Sequence, residues 1–362
     1  MRILVIGAGA VGGYFGGRLL QAGRDVTFLV RPGRAAQLAR FGLVIKSPVG
    51  DVTLPSPPTV QAGALREPYD LILLSCKAYD LDPAVTAFAP AVGAGTAVLP
   101  LLNGLRHLDV LGRAFSAEKI LGGQCVFAAS VALDPEGAVV HSQPFAALTF
   151  GELRGGGSER ARAILAELEG ATFEVRASDT ILLDMWEKWV MLSALAGATT
   201  LMRAAIGEIC AAPGGRDFIL GLLEECRGIA TAGGYAPRPA FLEKTRAMLT
   251  TAGSTFTASM FRDIERKARI EADHVIGDHP MASNEQFESA LAFSDSTLAE
   301  QKDANAVNVD ENAVQLRLRS KAVVEHGVEG VDCSAGPRVG HKKGCAGGFR
   351  CRNERARWVA PP

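Results

Sequence analysis

The chain has 362 residues, of which 48% are hydrophobic and 21% are charged, and its formal net charge is −1. This composition is typical of a globular protein large enough for two domains, and the near-neutral charge gives no electrostatic reason to expect nucleic acid or an anionic membrane as a partner. The first apolar run starts at residue 2, and the longest, 189–201, is too short to cross a bilayer. We therefore expect a cytoplasmic protein with no signal peptide and no membrane span.

A glycine-rich turn follows the first predicted strand, Arg2–Ile6. In a dinucleotide-binding turn the first glycine permits a tight turn, the second lets backbone approach the pyrophosphate, and the third lets the next helix pack closely. The phosphates then face the N–H groups at the start of that helix. The alternative is a purely structural turn. The residues predicted to contact the cofactor here are Gly7, Ala8, Gly9, Ala10, Val11 and Gly12.

Arg31 follows the second predicted strand, residues 25–30. NAD sites usually carry Asp or Glu at this position, whereas an arginine offers charge-assisted hydrogen bonds to a 2′-phosphate. Arg34 is close enough in sequence to contribute. The alternative for Arg31 is a solvated loop cation, but beside the glycine turn we predict NADP (NADPH) as the cofactor.

Strands and helices alternate as far as residue 177, and the chain is helical in character beyond it. Further strands are predicted over residues 69–76, 96–102, 120–129, 137–141, 147–151 and 172–176, a hairpin over 42–54, and helices over 80–88 and 158–169. The pattern predicts an α/β protein with an N-terminal Rossmann-type doubly wound sheet, mostly parallel with antiparallel later strands, and a C-terminal all-helical domain.

In the helical part, Ser178 and Asp179 are the predicted N-cap of a long helix that ends at Met202, and further helices are predicted over 217–233, 239–249 and 254–275. We predict three regions: an NADP-binding Rossmann domain over 1–177, a helical substrate and catalytic domain over 178–278, and an atypical, poorly ordered tail over 279–362. The reaction site is expected in the cleft between the two domains.

The tail lacks clear helical or strand periodicity, and residues 344–357 crowd glycine, arginine and cysteine together. One interpretation is a disordered or poorly packed extension. The other is that this end is not the ancestral C-terminus, as a frameshifted reading would produce. Cys76, Cys125, Cys210 and Cys226 are scattered, so we expect reduced thiols and no metal site.

Three lysine and amide side chains are candidates for the chemistry. Lys188 lies in an almost wholly apolar helix, where burial lowers the pKa of an amine and makes it a usable proton donor; the alternatives are a snorkelling lysine or an ion pair with Asp184. Lys77 and Asn103 each follow a predicted parallel strand, at the edge of the sheet where the cofactor is expected. Either residue could instead be an ordinary turn residue.

One hydroxyl and two acidic candidates lie on the last predicted helix, residues 254–275. Ser259, Asp263 and Glu271 are separated by four and eight residues, which places them near one helical face. The alternative is an exposed helix with charge pairs such as Glu265–Arg269.

Together these segments resemble the ketopantoate reductase (2-dehydropantoate 2-reductase) family over roughly residues 1–278. The resemblance is carried by the glycine turn with Arg31, by Ser75-Cys-Lys77-Ala-Tyr, by Leu102-Asn103-Gly104, by Trp186-Glu-Lys188, and by the stretches around Ser259 and Glu271. It implies NADPH-dependent reduction of 2-dehydropantoate to pantoate, a step of pantothenate biosynthesis. A homodimer is compatible with it.

The resemblance also implies roles for single residues. Lys188 matches the family's general acid, and Glu271 the acid that positions the substrate and the lysine. Asn103 and Lys77 match residues lining the nicotinamide and the substrate, and Ser259 matches a contact to the substrate carboxylate. In energetic terms, hydride delivery creates an alkoxide that a cation stabilises.

Two positions depart from the family pattern. Members acting on ketopantoate commonly carry asparagines one and two turns after the lysine, and this chain has Leu192 and Ala196 there. The lost amides favour an alternative: a paralogous NADPH-dependent reductase of a more apolar 2-oxo acid. A catalytically silent NADP-binding protein, inactive because of the altered C-terminus, is the other alternative.

Overall fold

The structure is a computed structural model that describes residues 1–127 and 131–277. All of them belong to one compact unit. The predicted tail, residues 279–362, lies outside the described residues, and both interpretations of it stay predictions. No helix within the described ranges is both long and apolar enough to cross a bilayer.

The strands occupy the first half of the chain. Their bounds are β1 Arg2–Ile6, β2 Asp25–Leu29, β3 Leu43–Lys46, β4 Val52–Leu54, β5 Thr59–Val60, β6 Leu71–Leu74, β7 Ala97–Pro100, β8 Leu121–Phe127, β9 Val131–Leu133, β10 Val139–His141, β11 Ala146–Glu152 and β12 Glu174–Ala177.

The first sheet is wholly parallel, in the order β5-β2-β1-β6-β7. Its centre is β1, where Ile6 is in register with Leu29 of β2 and Leu74 of β6. The central strands β1 and β6 are apolar on both faces and buried apart from Arg2, as a parallel sheet covered by helices requires. All five strands therefore end at the same edge, where the polar candidates begin.

The remaining strands form two smaller sheets, ordered β4-β3-β10-β9 and β12-β11-β8. A parallel bridge between Val98 and Ile120 leads from the first sheet to the third. The predicted hairpin is present as antiparallel β3 and β4. The expected antiparallel pairing of later strands occurs at β8–β11 and β9–β10, although as separate sheets and not as an extension of one.

The described helices are α1 Ala10–Gln21, α2 Pro32–Phe41, α3 Leu81–Phe88, α4 Arg106–Phe115, α5 Glu159–Leu168, α6 Ile181–Met202, α7 Ile206–Ala211, α8 Gly215–Ala232, α9 Pro239–Leu249 and α10 Ser259–Glu265, followed by a π-helical turn, Asp273–Gly277. Helix α6 is apolar around most of its circumference, so the other C-terminal helices bury it. An α/β N-terminal part with a helical C-terminal region confirms the predicted fold class.

The predicted N-cap of α6 is wrong. The helix begins at Ile181, and Thr180 precedes it without a side-chain cap. Ser178 serves a different purpose: its hydroxyl accepts from the Thr180 N–H at 3.1 Å and donates to Asp184 at 2.5 Å. The cap-like serine therefore stabilises the turn before the helix and a carboxylate one turn inside it.

The single helix predicted over residues 254–275 is also wrong, because α10 ends at Glu265. Lys267 has a left-handed φ of +57°, its N–H donates to the Ile264 carbonyl, and the Ala268 N–H donates to the Asp263 carbonyl, both at 2.8 Å. This is a Schellman ending with lysine at the position where glycine is usual. The sequence lacked the glycine that signals such an ending.

Candidate active site

The glycine-rich turn lies at the carboxyl end of β1. Gly7 has a φ of +90°, and a Cβ on Gly12 would lie 2.2 Å from both the Gly7 carbonyl oxygen and Ser75 Oγ. Only glycine lets α1 pass this close to the strand. A Cβ on Gly9 would meet nothing within 4 Å, and Gly9 gives α1 no side-chain cap. Open space in front of an uncapped helix start at Ala10 fits a pyrophosphate.

The two arginines near this turn have different surroundings. Arg31 immediately precedes α2, its side chain is 73% exposed, and its guanidinium lies 3.0 Å from Asp80. Arg34 is turned inward: Nε donates to the carbonyl of buried Ala8 at 2.9 Å, and Nη1 donates to the Gly137 carbonyl at 2.9 Å. Arg34 therefore supports the turn from behind, whereas Arg31 is exposed and its charge is paired with Asp80.

Lys77 joins the edge of the sheet to the segment after α10. Its Nζ lies 3.0 Å from Asp263 Oδ2 and 3.0 Å from Glu271 Oε2, and Glu271 Oε1 accepts from the Ala78 N–H at 2.9 Å. Partial burial opposes the charged form of Lys77, but the two carboxylates outweigh it and raise its pKa. Asp263 and Glu271 thus meet at one cation, although no common helical face brings them there.

Lys188 lies in the second turn of α6 and is half-buried. Its ammonium donates to the Cys125 backbone carbonyl of β8 at 2.8 Å. Burial lowers the pKa of Lys188, and the negative charge of Glu271 offsets this only in part. The alternative of an ion pair with Asp184 is wrong, because Asp184 accepts from Ser178 and is bound by arginines.

Arg238 binds two buried carboxylates on α6. Its guanidinium contacts Asp184 and Glu187, and its backbone N–H donates to Glu187 at 2.8 Å. Asp184 and Glu187 are 4% and 3% exposed, so each needs a charged partner. Arg238 supplies it and fixes the part of α6 that precedes Lys188.

A cleft of roughly 250 Å³, counting space open to solvent, lies beside α6. It brings together three predicted site residues, Asn103, Ser259 and Glu271. Lys188 is not among the residues that line the cleft, but Leu192, which lies one helical turn after Lys188, is one of them. The lining residues are Asn103, Leu192, Ala196, Ala258, Ser259, Met260, Glu271 and Val275.

Three aromatic side chains near the cleft were missed by sequence reasoning. Trp189 Nε1 donates to the Val275 carbonyl at 2.8 Å and anchors the π-helical turn on α6. His107 and His274 are stacked, with ring centroids 5.8 Å apart. The only sign of these two histidines in the sequence is that they lie near predicted site residues: His107 is four residues after Asn103, and His274 is three residues after Glu271.

The four cysteines considered above are free thiols. Burial raises the pKa of Cys76 to about 12. Within residues 1–127 and 131–277 no three His, Cys, Asp or Glu side chains are placed to hold a metal ion.

A turn that fits a dinucleotide, at the edge of a parallel sheet, and a half-buried lysine on the helical side are the parts of a nicotinamide-dependent oxidoreductase. The sequence model of the family described as ketopantoate reductase PanE/ApbA matches residues 3–155 of this chain. The family model for the C-terminal region of ketopantoate reductase PanE/ApbA matches residues 180–282. The chain belongs to this ketopantoate reductase family.

Individual relatives agree with the assignment. The uncharacterized oxidoreductase YkpB of Bacillus subtilis (strain 168) is 38% identical over 277 residues, which are 76% of this chain and 90% of YkpB. The crystal structure of 2-dehydropantoate 2-reductase from Geobacter metallireducens GS-15 is 26% identical, with a TM-score of 0.68 over 82% of this chain and 94% of that one. A ternary structure of D-mandelate dehydrogenase with NADH and anilino(oxo)acetate, at 22% identity and a TM-score of 0.68 over 82% and 99% of the two chains, shares the fold.

Proposed function

We propose that the protein reduces a 2-oxo acid to the 2-hydroxy acid with NADPH, and that 2-dehydropantoate, an intermediate of pantothenate biosynthesis, is the first candidate. The observation that carries this proposal is the placement of Lys188: a half-buried ammonium on α6, electrostatically coupled to Glu271, one turn from a cleft lined by Asn103 and Ser259.

The chain's own residues fit the cofactor. Backbone N–H groups from Gly9 to Gly12 would hold the pyrophosphate, and Asn103 and Lys77 would lie toward the nicotinamide. When bound, the cofactor supplies a hydride to the substrate carbonyl carbon. Arg31 favours NADPH over NADH, because its exposed guanidinium can bind a 2′-phosphate once it leaves Asp80.

Lys188 has the properties that this reaction needs from a general acid. Negative charge develops on the carbonyl oxygen as the carbon is reduced, and the Lys188 ammonium would stabilise that charge and transfer its proton. Burial lowers its pKa, which makes the proton easier to give. The Cys125 carbonyl holds the ammonium in place until the substrate oxygen replaces it as the acceptor.

The acid group of the substrate would be bound by neutral donors. Ser259 begins α10, so its hydroxyl and the N–H groups of that helix's first turn are the expected contacts for a carboxylate. Glu271 is held by Lys77 and the Ala78 N–H. In that position it can accept a hydrogen bond from the substrate or from Lys188.

The cleft itself favours the second candidate, a reductase of a more apolar 2-oxo acid. Leu192 and Ala196 line it together with Met260 and Val275, so this wall offers no side-chain hydrogen bond to a substrate hydroxyl. A site that hydrogen-bonds a substrate hydroxyl discriminates strongly against a substrate that lacks the hydroxyl, whereas an apolar site does not.

A matched pair of substrates tests both candidates. NADPH oxidation is followed with 2-dehydropantoate and with 3,3-dimethyl-2-oxobutanoate, which differs by the loss of the hydroxyl group. Preference for 2-dehydropantoate supports the first candidate, and equal or better turnover of the other supports the second. NADPH binding without turnover of any branched 2-oxo acid would refute both and favour a silent NADP-binding protein.

A further inference from the structure

An ion pair joins the two chain segments on either side of the glycine turn. Arg31 follows β2 and Asp80 follows β6, and these two strands flank β1 in the sheet. The Arg31 guanidinium lies 3.0 Å from Asp80 Oδ1. A dinucleotide on the turn after β1 would therefore lie between the two segments that this ion pair connects.

The backbone fixes the position of both partners. Arg31 precedes α2 in an extended conformation, with a φ of −73° and a ψ of 156°. The Asp80 N–H donates to the Lys77 carbonyl at 2.9 Å, which closes a 3₁₀ turn, Ala78–Asp80. Asp80 is thus held three residues after Lys77, which is predicted to lie toward the nicotinamide.

The carboxylate of Asp80 is not used as a helix cap. Asp80 directly precedes α3, and an aspartate at such a position usually accepts hydrogen bonds from the first N–H groups of the helix. In the described part of the chain, this end of α3 has no side-chain cap. The carboxylate lies against Arg31, in an ion pair that is exposed to solvent. Because exposed ion pairs contribute little to folding stability, its main expected effect is on a ligand that needs one of the two charges.

The ion pair limits what Arg31 can offer to a cofactor. A 2′-phosphate needs the guanidinium that Asp80 already binds, and the carboxylate repels a phosphate that approaches it. Arg34 is not an equivalent partner, because its guanidinium is held by the Ala8 and Gly137 carbonyls. A 2′-hydroxyl is uncharged and can donate a hydrogen bond to a carboxylate, so NADH meets neither obstacle.

We propose that Asp80 is a specificity-determining residue of the cofactor site: it competes with the 2′-phosphate for Arg31 and thereby narrows the preference for NADPH over NADH. Replacing the carboxylate with an amide frees Arg31 and widens that preference. This inference rests on the cofactor part of the proposed function, because Asp80 can set a preference only if the turn binds a dinucleotide.

Asp80→Asn is the test variant, and Asp82→Asn is the matched control. Each substitution removes one negative charge and keeps the shape of the side chain. Asp82 is an exposed residue in the first turn of α3, whereas the ion pair with Arg31 is made by Asp80. A long-range effect of charge would appear in both variants, and competition for Arg31 would appear in Asp80→Asn alone.

The probes are two nucleotides that differ only in the 2′-phosphate, adenosine 2′,5′-bisphosphate and adenosine 5′-monophosphate. Their affinities for the full chain are measured by calorimetric titration at low ionic strength, where exposed charges are least screened. NADPH and NADH are titrated in parallel by fluorescence. These measurements require no turnover and no 2-oxo acid, so they are independent of the proposed reduction.

We expect a gain in affinity that is confined to the phosphorylated nucleotides. Asp80→Asn should bind adenosine 2′,5′-bisphosphate about 3- to 30-fold more tightly than the wild type, with less than about a twofold change for adenosine 5′-monophosphate. NADPH should follow the first nucleotide and NADH the second. In the Arg31→Gln background most of this gain should disappear, because no guanidinium remains to be freed. The Tm of Asp80→Asn should stay close to that of the wild type.

An unchanged ratio of the two nucleotide affinities in Asp80→Asn would overturn the proposal. The same conclusion would follow from an equal gain in Asp82→Asn, or from a gain that persists in full without Arg31. A wild type that binds neither nucleotide nor NADPH would overturn both this proposal and the proposed function. A wild type that binds them and reduces no 2-oxo acid would refute the proposed reduction alone, because the affinity ratios still decide the role of Asp80.

Discussion

Replacing Lys188 with methionine is the most direct test of the proposed chemistry. Methionine keeps the length and apolar packing of the side chain and removes only the ammonium. If Lys188 is the general acid, kcat should fall about 10²- to 10⁴-fold, which corresponds to about 2.7–5.5 kcal/mol of transition-state stabilisation.

Stability should change far less than activity. The Cys125 carbonyl loses the donor that Lys188 provides at 2.8 Å, which costs about 1–3 kcal/mol. Removing a buried charge acts in the opposite direction, because burial is what lowers the pKa of Lys188. The two effects oppose each other, so we expect a small shift in Tm.

The assay combines steady-state NADPH oxidation with NADPH affinity measured by fluorescence. Lys244→Met is the control, because Lys244 is an exposed lysine of α9 outside the cleft. The reaction needs the protonated amine, so wild-type kcat should fall as the pH rises through the lowered pKa of Lys188, below the range of an ordinary lysine. A Lys188→Met protein with more than about a tenth of the wild-type kcat would refute the general-acid role.

Further predictions concern the cofactor, the carboxylate cluster and the cleft. Arg31→Asp should weaken NADPH binding by about 1–3 kcal/mol and leave NADH binding nearly unchanged in titrations; equal losses would contradict a 2′-phosphate contact. Lys77→Met and Glu271→Gln should be non-additive in kcat/KM by roughly 0.5–3 kcal/mol, because the two side chains are 3.0 Å apart; additive effects would separate their roles. Leu192→Asn should raise the preference for a hydroxylated over a deoxy 2-oxo acid about 2- to 10-fold. An unchanged preference would show that the substrate hydroxyl does not contact the wall of the cleft at Leu192.

Local sequence patterns predicted the features that depend on local backbone. Gly7 and Gly12 stand at positions where only glycine fits, and a glycine after an apolar run is visible in the sequence. Lys188 could also be singled out from the sequence, because a lysine is rare within an apolar helical segment. The physical reason for the residue at each of these positions can be found in the few residues next to it in the sequence.

Features that depend on long-range contact were not predictable in this way. The helical face assigned to Asp263 and Glu271 was wrong because Lys267, which ends α10, carries no sign of a helix end. The approach of Glu271 to Lys77 joins residues 194 positions apart. The same holds for the stack of His107 on His274, which no periodicity indicates.

The left-handed lysine that ends α10 also gives a route to a more robust protein. Lys267 is exposed, and a non-glycine residue in this conformation carries about 1–2 kcal/mol of steric cost. Lys267→Gly should recover part of it and raise Tm by a few degrees in a calorimetric scan, at the 2–4 °C per kcal/mol expected for a larger domain. The changed side chain is not among those lining the cleft, so thermal tolerance and turnover could be engineered separately in this family member.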